Sequence, residues 1–392
     1  MTDRPREGAR SGEGWHPEPE LLDIRDEERS RPALERLGEE AWSAALDYVY
    51  DHGMERAIGE PADYAELRKV FFGSSGKPAP APAEPTTSDA LIDEFRTRLA
   101  PHQANAWHPR AYAYFTPIPL WSSIVGEIFS QVVHQGVDVW HCSPSATLVE
   151  EEVVRWLCDL VGYDERGFGL FTSGGVMANI MALTVVRDIH LRRVRDLDGP
   201  PRGADLADVR VYVSDQAHFS IQRSLDTLGF PTETLVPLPS DDHFRLQAAP
   251  VAEAVARDRA AGLMPLAIGA TAGTTNTGAV DALPDLADLA EREGLWLHVD
   301  AAYGGGALLS ERLAGHVPAL ERADSITIDP HKWFFQAYDI GGLLVRDGSL
   351  LETTFSYRPE YYRGSGDPDR APDAHGSEEL DFYRLSVEGK RR

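Results

Sequence analysis

The apolar positions of this chain follow two different periods, and the change between them divides it. In "ALERLGEEAWSAALDYVYDHG", residues 33–53, Leu34, Leu37, Ala41, Ala45 and Tyr48 recur at three- and four-residue spacing. That spacing predicts an amphipathic helix. The stretch "GSSGKPAPAPAEPTTSD", residues 73–89, has no period, and its proline, alanine and serine predict a linker. Thr87 and Ser88 are the two candidates to cap the next helix, "DALIDEFRTRLA".

From about Gly169 short strand-like runs alternate with helical ones. "GLFT" precedes a Gly-Gly turn and the helix "VMANIMALTVVRDIHLRRV". "VRVYVSD" precedes "AHFSIQRSLDTLG", and "LAIGATAG" precedes a Thr/Gly loop and "LPDLADLAEREG". "LWLHVDAA", "SITIDP" and "GGLLVRD" follow. This alternation predicts an α/β fold with a mostly parallel sheet covered by helices on both faces. Ligands of such sheets bind at the carboxyl ends of the strands. No internal repeat is visible.

Those strand ends carry the polar residues. "FTSGGVMAN", Phe171–Asn179, is a strand, a glycine turn and a helix start, a backbone that approaches an anion closely. It matches neither a P-loop nor a dinucleotide fingerprint. "SDQAHFS" places His218 just past a strand, and "TAGTTNTGAVD" is a hydroxyl- and glycine-rich loop. "LHVDAAYGGG" places Asp300 at the end of an apolar strand, where a carboxylate is rare unless paired. "DSITIDPHKW", Asp324–Trp333, ends its strand at Pro330 and delivers His331 and Lys332. Taken singly, each has an ordinary structural explanation: a plain turn, a structural histidine, a loop carboxylate, a solvated lysine. Together they supply an anion nest, a ring-face partner, a buried carboxylate and an amine on one rim. Those are the parts needed to hold pyridoxal 5'-phosphate, whose aldehyde reacts with a lysine and whose ring nitrogen needs a carboxylate.

Composition removes other classes. The net charge is -25, which argues against nucleic acid or an anionic membrane as partner. The two cysteines, Cys142 and Cys158, form no C-x-x-C pair, so neither a metal site nor a disulfide framework is expected. The first twenty residues contain no apolar signal core, and no apolar run is long enough to span a bilayer. A cytoplasmic setting is the expectation.

On "HVDAAYGG", "DPHKW", "SDQAHFS", "FTSGG" and "TAGTTNTGAVD", in this order and spacing, the chain resembles the pyridoxal-phosphate-dependent group II amino-acid decarboxylases. "HPRAYAYF" and "WHCSPSATLVEEEVVRWL" extend the resemblance, which runs from roughly Ala33 onward. It implies a fold type I large domain with a mostly parallel seven-stranded sheet and an N-terminal helical segment. It implies Lys332 as Schiff-base lysine, Asp300 on the ring nitrogen and His218 on one ring face, with Ala302 against the other. Gly174, Gly175 and the Val176 backbone are implied to hold the phosphate, with His331 nearby; Thr275 is implied near the cofactor and Asp300. Tyr114, Phe115 and Trp140 are implied to line or flank the substrate pocket, and their rings point to an aromatic amino acid. Tyr361, with Tyr362 as an adjacent competitor, is implied as the acid that protonates the product carbon.

Two departures stand out: Val176-Met177 replaces a polar pair, and Asp329 stands where animal members carry Asn. The resemblance also implies a homodimer wrapped by N-terminal helices, and a small C-terminal domain; a chain truncated before that domain is the expectation. The expected organisation is a loose arm over 1–32, a helical segment over 33–85 and a cofactor-binding domain over 86–346. A catalytic-loop region with the start of a further domain then covers 347–392. The expected reaction is α-decarboxylation of an L-amino acid. Two alternatives remain: an aldehyde synthase, against which Tyr361 argues, and a truncated inactive homologue serving as a partner subunit.

Overall fold

The computed structural model describes residues 27–55, 63–81, 83, 86–112, 114–115, 117–356 and 380–388. Tyr361 and Tyr362 therefore lie outside the described residues. The chain forms two compact units, Met1–Ala113 and Tyr114–Arg392.

The first unit is helical. α1 (Glu27–Asp47) runs on through a wider turn at Tyr48–His52. It begins upstream of Pro32, which the sequence pattern had placed at the end of a loose arm. Arg31 spans Glu27 and Glu35 at 3.0 Å each, one turn either way. α2 (Tyr64–Phe72) is capped by Asp63, which accepts from the Glu66 amide at 3.0 Å. α3 (Ser88–Glu94) is capped by Thr87, which accepts from the Ala90 amide at 3.3 Å, so Thr87 is the cap of the two candidates. The continuation of α3 packs on α1: Phe95 meets the Tyr48 ring edge-on at 6.0 Å, and Arg96 lies 3.6 Å from Asp47. These contacts carry the first unit past the expected boundary at residue 86.

The second unit holds α4 (Trp121–Val133), α5 (Pro144–Val161), β1 (Phe168–Thr172), α6 (Gly175–Val185), β2 (Val209–Ser214) and α7 (Ser220–Thr227). Then come β3 (Leu235–Leu238), α8 (Ala248–Ala260), β4 (Met264–Thr271), α9 (Leu283–Glu293), β5 (Trp296–Asp300), β6 (Ser325–Ile328), β7 (Gly341–Val345) and α10 (Ser349–Phe355). The sheet has seven strands in the order β1-β7-β6-β5-β4-β2-β3. Only β7 runs against its neighbours; every other pairing is parallel. β3, "LVPL", was not among the strand-like runs. Its Pro237 cannot donate to a ladder, and an edge strand is where a sheet tolerates that.

Each sheet face carries its own core. Leu297 and Val299 of β5 pack with Ile326 and Ile328 of β6 on one face. Trp296 of β5 packs on the other, with Ala178 and Met181 of α6. Because side chains alternate along a strand, His298 and Asp300 share the α6 face with Trp296. Asp300 sits on a rung between Thr271 of β4 and Thr327 of β6. The sheet thus aims a polar stripe at one helix.

Asp281 closes the β4 crossover. Its buried carboxylate accepts from the amides of Leu246 and Thr271, both at 2.7 Å. Asp281→Ala leaves two buried N–H groups without that acceptor. We expect a loss of about 2–4 kcal/mol in urea unfolding, with an unchanged m-value.

Candidate active site

Lys332 is not a solvated lysine: its side chain is 17% exposed, and Nζ lies 3.0 Å from Asp329 Oδ2. The turn after β6 sets this. The Lys332 amide donates to the Asp329 carbonyl at 2.9 Å, and the Gln336 amide donates to that of Pro330 at 3.1 Å. The Phe115 ring centre lies 5.6 Å from Nζ, within cation–π range. His331 is buried in the same turn, edge-on to Phe115 at 6.4 Å and 4.5 Å from the Tyr338 ring. Its Nδ1 accepts from the Ile340 amide at 3.0 Å, which leaves the proton of the neutral ring on Nε2. Burial, then the Lys332 charge, lowers the His331 pKa and keeps the ring neutral.

Asp300 is buried with both oxygens engaged. Oδ2 accepts from Asn179 Nδ2 at 3.0 Å, and Oδ1 accepts from the Ala302 amide at 3.1 Å. His218 Nδ1 lies 2.8 Å from Ser220 Oγ, and its pKa is lowered by burial despite the opposing charge of Asp300. His218 is close enough to feel the charges of both Asp300 and Lys332.

Gly174 opens α6 at φ +148°, a conformation reserved for glycine. It has no side chain to cap the helix, so the first N–H groups of α6 are left to an external acceptor. The neighbouring turn already holds an anion: the Ser173 amide and hydroxyl donate to Glu388 at 3.0 and 2.5 Å. A Cβ at Gly175 would lie 2.8 and 3.0 Å from the two Asp329 oxygens, so glycine is required there. Asp329 is buried, and its Oδ1 has no hydrogen-bond partner among the described residues. Burial pushes its carboxyl up to about 6, against the lowering effect of Lys332.

The structure thus brings Lys332, Asp300, His218, His331, Ala302, Gly174, Gly175 and Phe115 to one rim. Val176 starts α6 beside them. Thr275 lies exposed on the loop after β4, whereas its neighbour Thr274 is buried and lies 2.6 Å from the Thr277 hydroxyl. Tyr114 is 84% exposed, and the Trp140 amide donates to Asp381 at 2.8 Å. Asn179, His298 and Tyr338 were not singled out from sequence. Asn179 is a lone amide on an apolar helix and His298 a lone ring in an apolar strand, which are signals of a kind.

These residues fit pyridoxal 5'-phosphate: an amine, a buried carboxylate and an uncapped helix start, with Asp329 as the one group that opposes an anion there. A sheet of this topology with that rim defines a fold type I pyridoxal-phosphate enzyme. The description "Pyridoxal-dependent decarboxylase conserved domain" matches residues 73–377. An aromatic-L-amino-acid decarboxylase of Bacillus atrophaeus is 32% identical over 93% of this chain and 70% of its own length. A mouse histidine decarboxylase is 32% identical over 73% of this chain, which spans 44% of that enzyme's length. The crystal structure of Oryza sativa TDC with PLP and tryptamine superposes with a TM-score of 0.78 at 28% identity, over 92% of this chain and 71% of that one. The chain belongs to the pyridoxal-dependent decarboxylase family, and pyridoxal 5'-phosphate is its cofactor. Among the described residues no helix is long and apolar enough to cross a membrane.

Asp329 faces the helix start that an anion would use. Its carboxyl is protonated below about 6 and charged above. Cofactor capture by the wild type should therefore weaken as pH rises through that value. Asp329→Asn should flatten the dependence and bind about tenfold more tightly at pH 7.5, measured by equilibrium dialysis.

Proposed function

We propose that this chain removes the α-carboxylate of an aromatic L-amino acid, releasing the amine and carbon dioxide. The observation that carries the aromatic preference is the ring cluster at the lysine: Phe115, His331 and Tyr338 lie within 6.4 Å of one another, centre to centre, beside Lys332. A planar side chain stacks favourably in such a frame.

Bound pyridoxal 5'-phosphate supplies an aldehyde that condenses with amines and a ring that accepts the electron pair left when carbon dioxide departs. The chain's own residues do the rest. Lys332 Nζ is the resident amine, and Asp329 Oδ2 is the base in reach of its proton. Asp300 is the carboxyl group that pairs with the cofactor's ring nitrogen. His218 and Ala302 take the two ring faces. The Gly174, Gly175 and Val176 backbone holds the phosphate, with His331 Nε2–H as a further donor. Thr275 stands near the cofactor and Asp300 in this reading. Tyr114 and Trp140 complete the pocket wall, and Tyr361 returns a proton to the product carbon.

The active form is a homodimer in this reading. α4 leaves Phe129, Val132 and Val133 largely exposed on the single chain, and α1 leaves Leu34 so. A cytoplasmic setting accompanies it, with both Cys142 and Cys158 free.

A panel of tryptophan, tyrosine, dihydroxyphenylalanine, histidine, glutamate and diaminobutyrate tests the substrate. Carbon dioxide should come fastest from an aromatic member, and Lys332→Ala should abolish it. Release from glutamate or diaminobutyrate alone would overturn the aromatic assignment. Sedimentation of the wild type at micromolar concentration should give a dimer.

A further inference from the structure

The α6 face of the sheet carries a polar chain where the neighbouring strands carry apolar packing. Its centre is Asn179, which is 1% exposed. Asn179 Nδ2 donates to Asp300 Oδ2 at 3.0 Å and to Ser220 Oγ at 2.8 Å. Asn179 Oδ1 accepts from Thr327 Oγ1 at 2.6 Å and meets His298 Nε2 at 3.0 Å. His298 Nδ1 meets Ser325 Oγ at 2.9 Å, and Trp296 Nε1 donates to that same oxygen at 2.9 Å.

The amide of Asn179 turns its NH2 to Asp300 Oδ2, which accepts. Its carbonyl then needs a donor from His298, so His298 carries its proton on Nε2. Burial holds that ring neutral, with a pKa lowered to about 4, which makes Nδ1 an acceptor for the Ser325 hydroxyl. Trp296 has only a donor to offer, which completes the order at the far end of β5. On the other branch Ser220 Oγ accepts from Asn179, and the Ser220 amide donates to His218 Nδ1 at 3.3 Å, so Nδ1 is an acceptor, the Ser220 hydroxyl turns to it at 2.8 Å, and His218 keeps its proton on Nε2. A buried network this complete rigidifies one arrangement, whereas a partial one would cost more than an apolar core.

We propose that Asn179 is a positioning residue that sets two cofactor-facing groups at once: it orients Asp300 as an acceptor and, through Ser220 Oγ, braces His218 with Nδ1 as an acceptor. His298, Ser325 and Trp296 lock its amide from behind. This rests on the reading of Asp300 and His218 as the groups that face the cofactor ring. Asp329 feels the charge of Asp300 and pairs with Lys332.

The test uses the wild-type protein and two variants loaded with pyridoxal 5'-phosphate. Asn179→Asp keeps the acceptor for His298 and Thr327 but sets a second carboxyl 3.0 Å from Asp300 Oδ2, so the two must share a proton. Its visible cofactor band should gain an ionisation between pH 6 and 9, roughly. Its cofactor dissociation constant should rise about tenfold, and kcat should fall roughly 10- to 100-fold with KM within about threefold, the loss of one hydrogen bond to a buried charge. Ser325→Ala, a small change one strand away, should move the same band in the same direction by less, and it serves if Asn179→Asp does not fold. Borohydride should still fix the cofactor on Lys332 in every form. Wild-type protein that takes up no cofactor would overturn the functional reading and this inference with it. Wild-type protein fixed at Lys332, with variants whose band, affinity and kcat stay within about twofold of it, would overturn this inference alone.

Discussion

A buried carboxylate, hydrogen-bonded on both oxygens, at the end of the central strand is the constraint on which the rest of the structure depends. Asp300 lies in the middle of a seven-stranded sheet, where an unpaired charge would be expelled or neutralised. It is kept by one side-chain amide on α6 and one backbone amide just past the strand. For that, α6 must cross the carboxyl ends of β5 and β6 closely enough for Asn179 to reach three strand residues: His298, Asp300 and Thr327. The glycine turn before α6 then falls beside the lysine turn after β6, as the contact between Gly175 and Asp329 shows.

From this follows a division of charge along the rim. The uncapped start of α6 attracts an anion, while Asp329, packed against it, repels one unless protonated or paired with Lys332. Asp329 is thus no stray acid. Its carboxyl is held by the lysine on one oxygen and left without a partner on the other, an arrangement that burial makes costly for the protein alone.

The strand ends were legible in the sequence because β/α alternation places them on one rim regardless of detail, and Lys332, Asp300 and His218 stood on three of them. The seven-stranded sheet expected from the resemblance is present, although local pattern marked only six strands; "LVPL" is short, half-exposed and interrupted by proline. Asn179 escaped notice because helical spacing does not say which side of an apolar helix meets a strand. His298, Ser325 and Thr327 were readable as polar positions in "WLHVD" and "SITI", yet period two alone does not reveal that the two stripes meet. The settings of Tyr114, Thr275 and Trp140 depend on loop geometry, which residue type does not encode, and the described residues do not include Tyr361.

The central claim is that Asp300 serves the cofactor ring and not merely the fold. Asp300→Asn keeps the shape and removes the charge, and its single oxygen serves one of the two donors, the Ala302 amide or Asn179. Loaded with pyridoxal 5'-phosphate and treated with borohydride, the variant should still carry the cofactor on Lys332. Its single-turnover release of carbon dioxide should fall on the order of 10²- to 10³-fold, as expected when a buried group that stabilises developing charge is lost. Release within about threefold of the wild type, with the cofactor fixed on Lys332, would contradict that role.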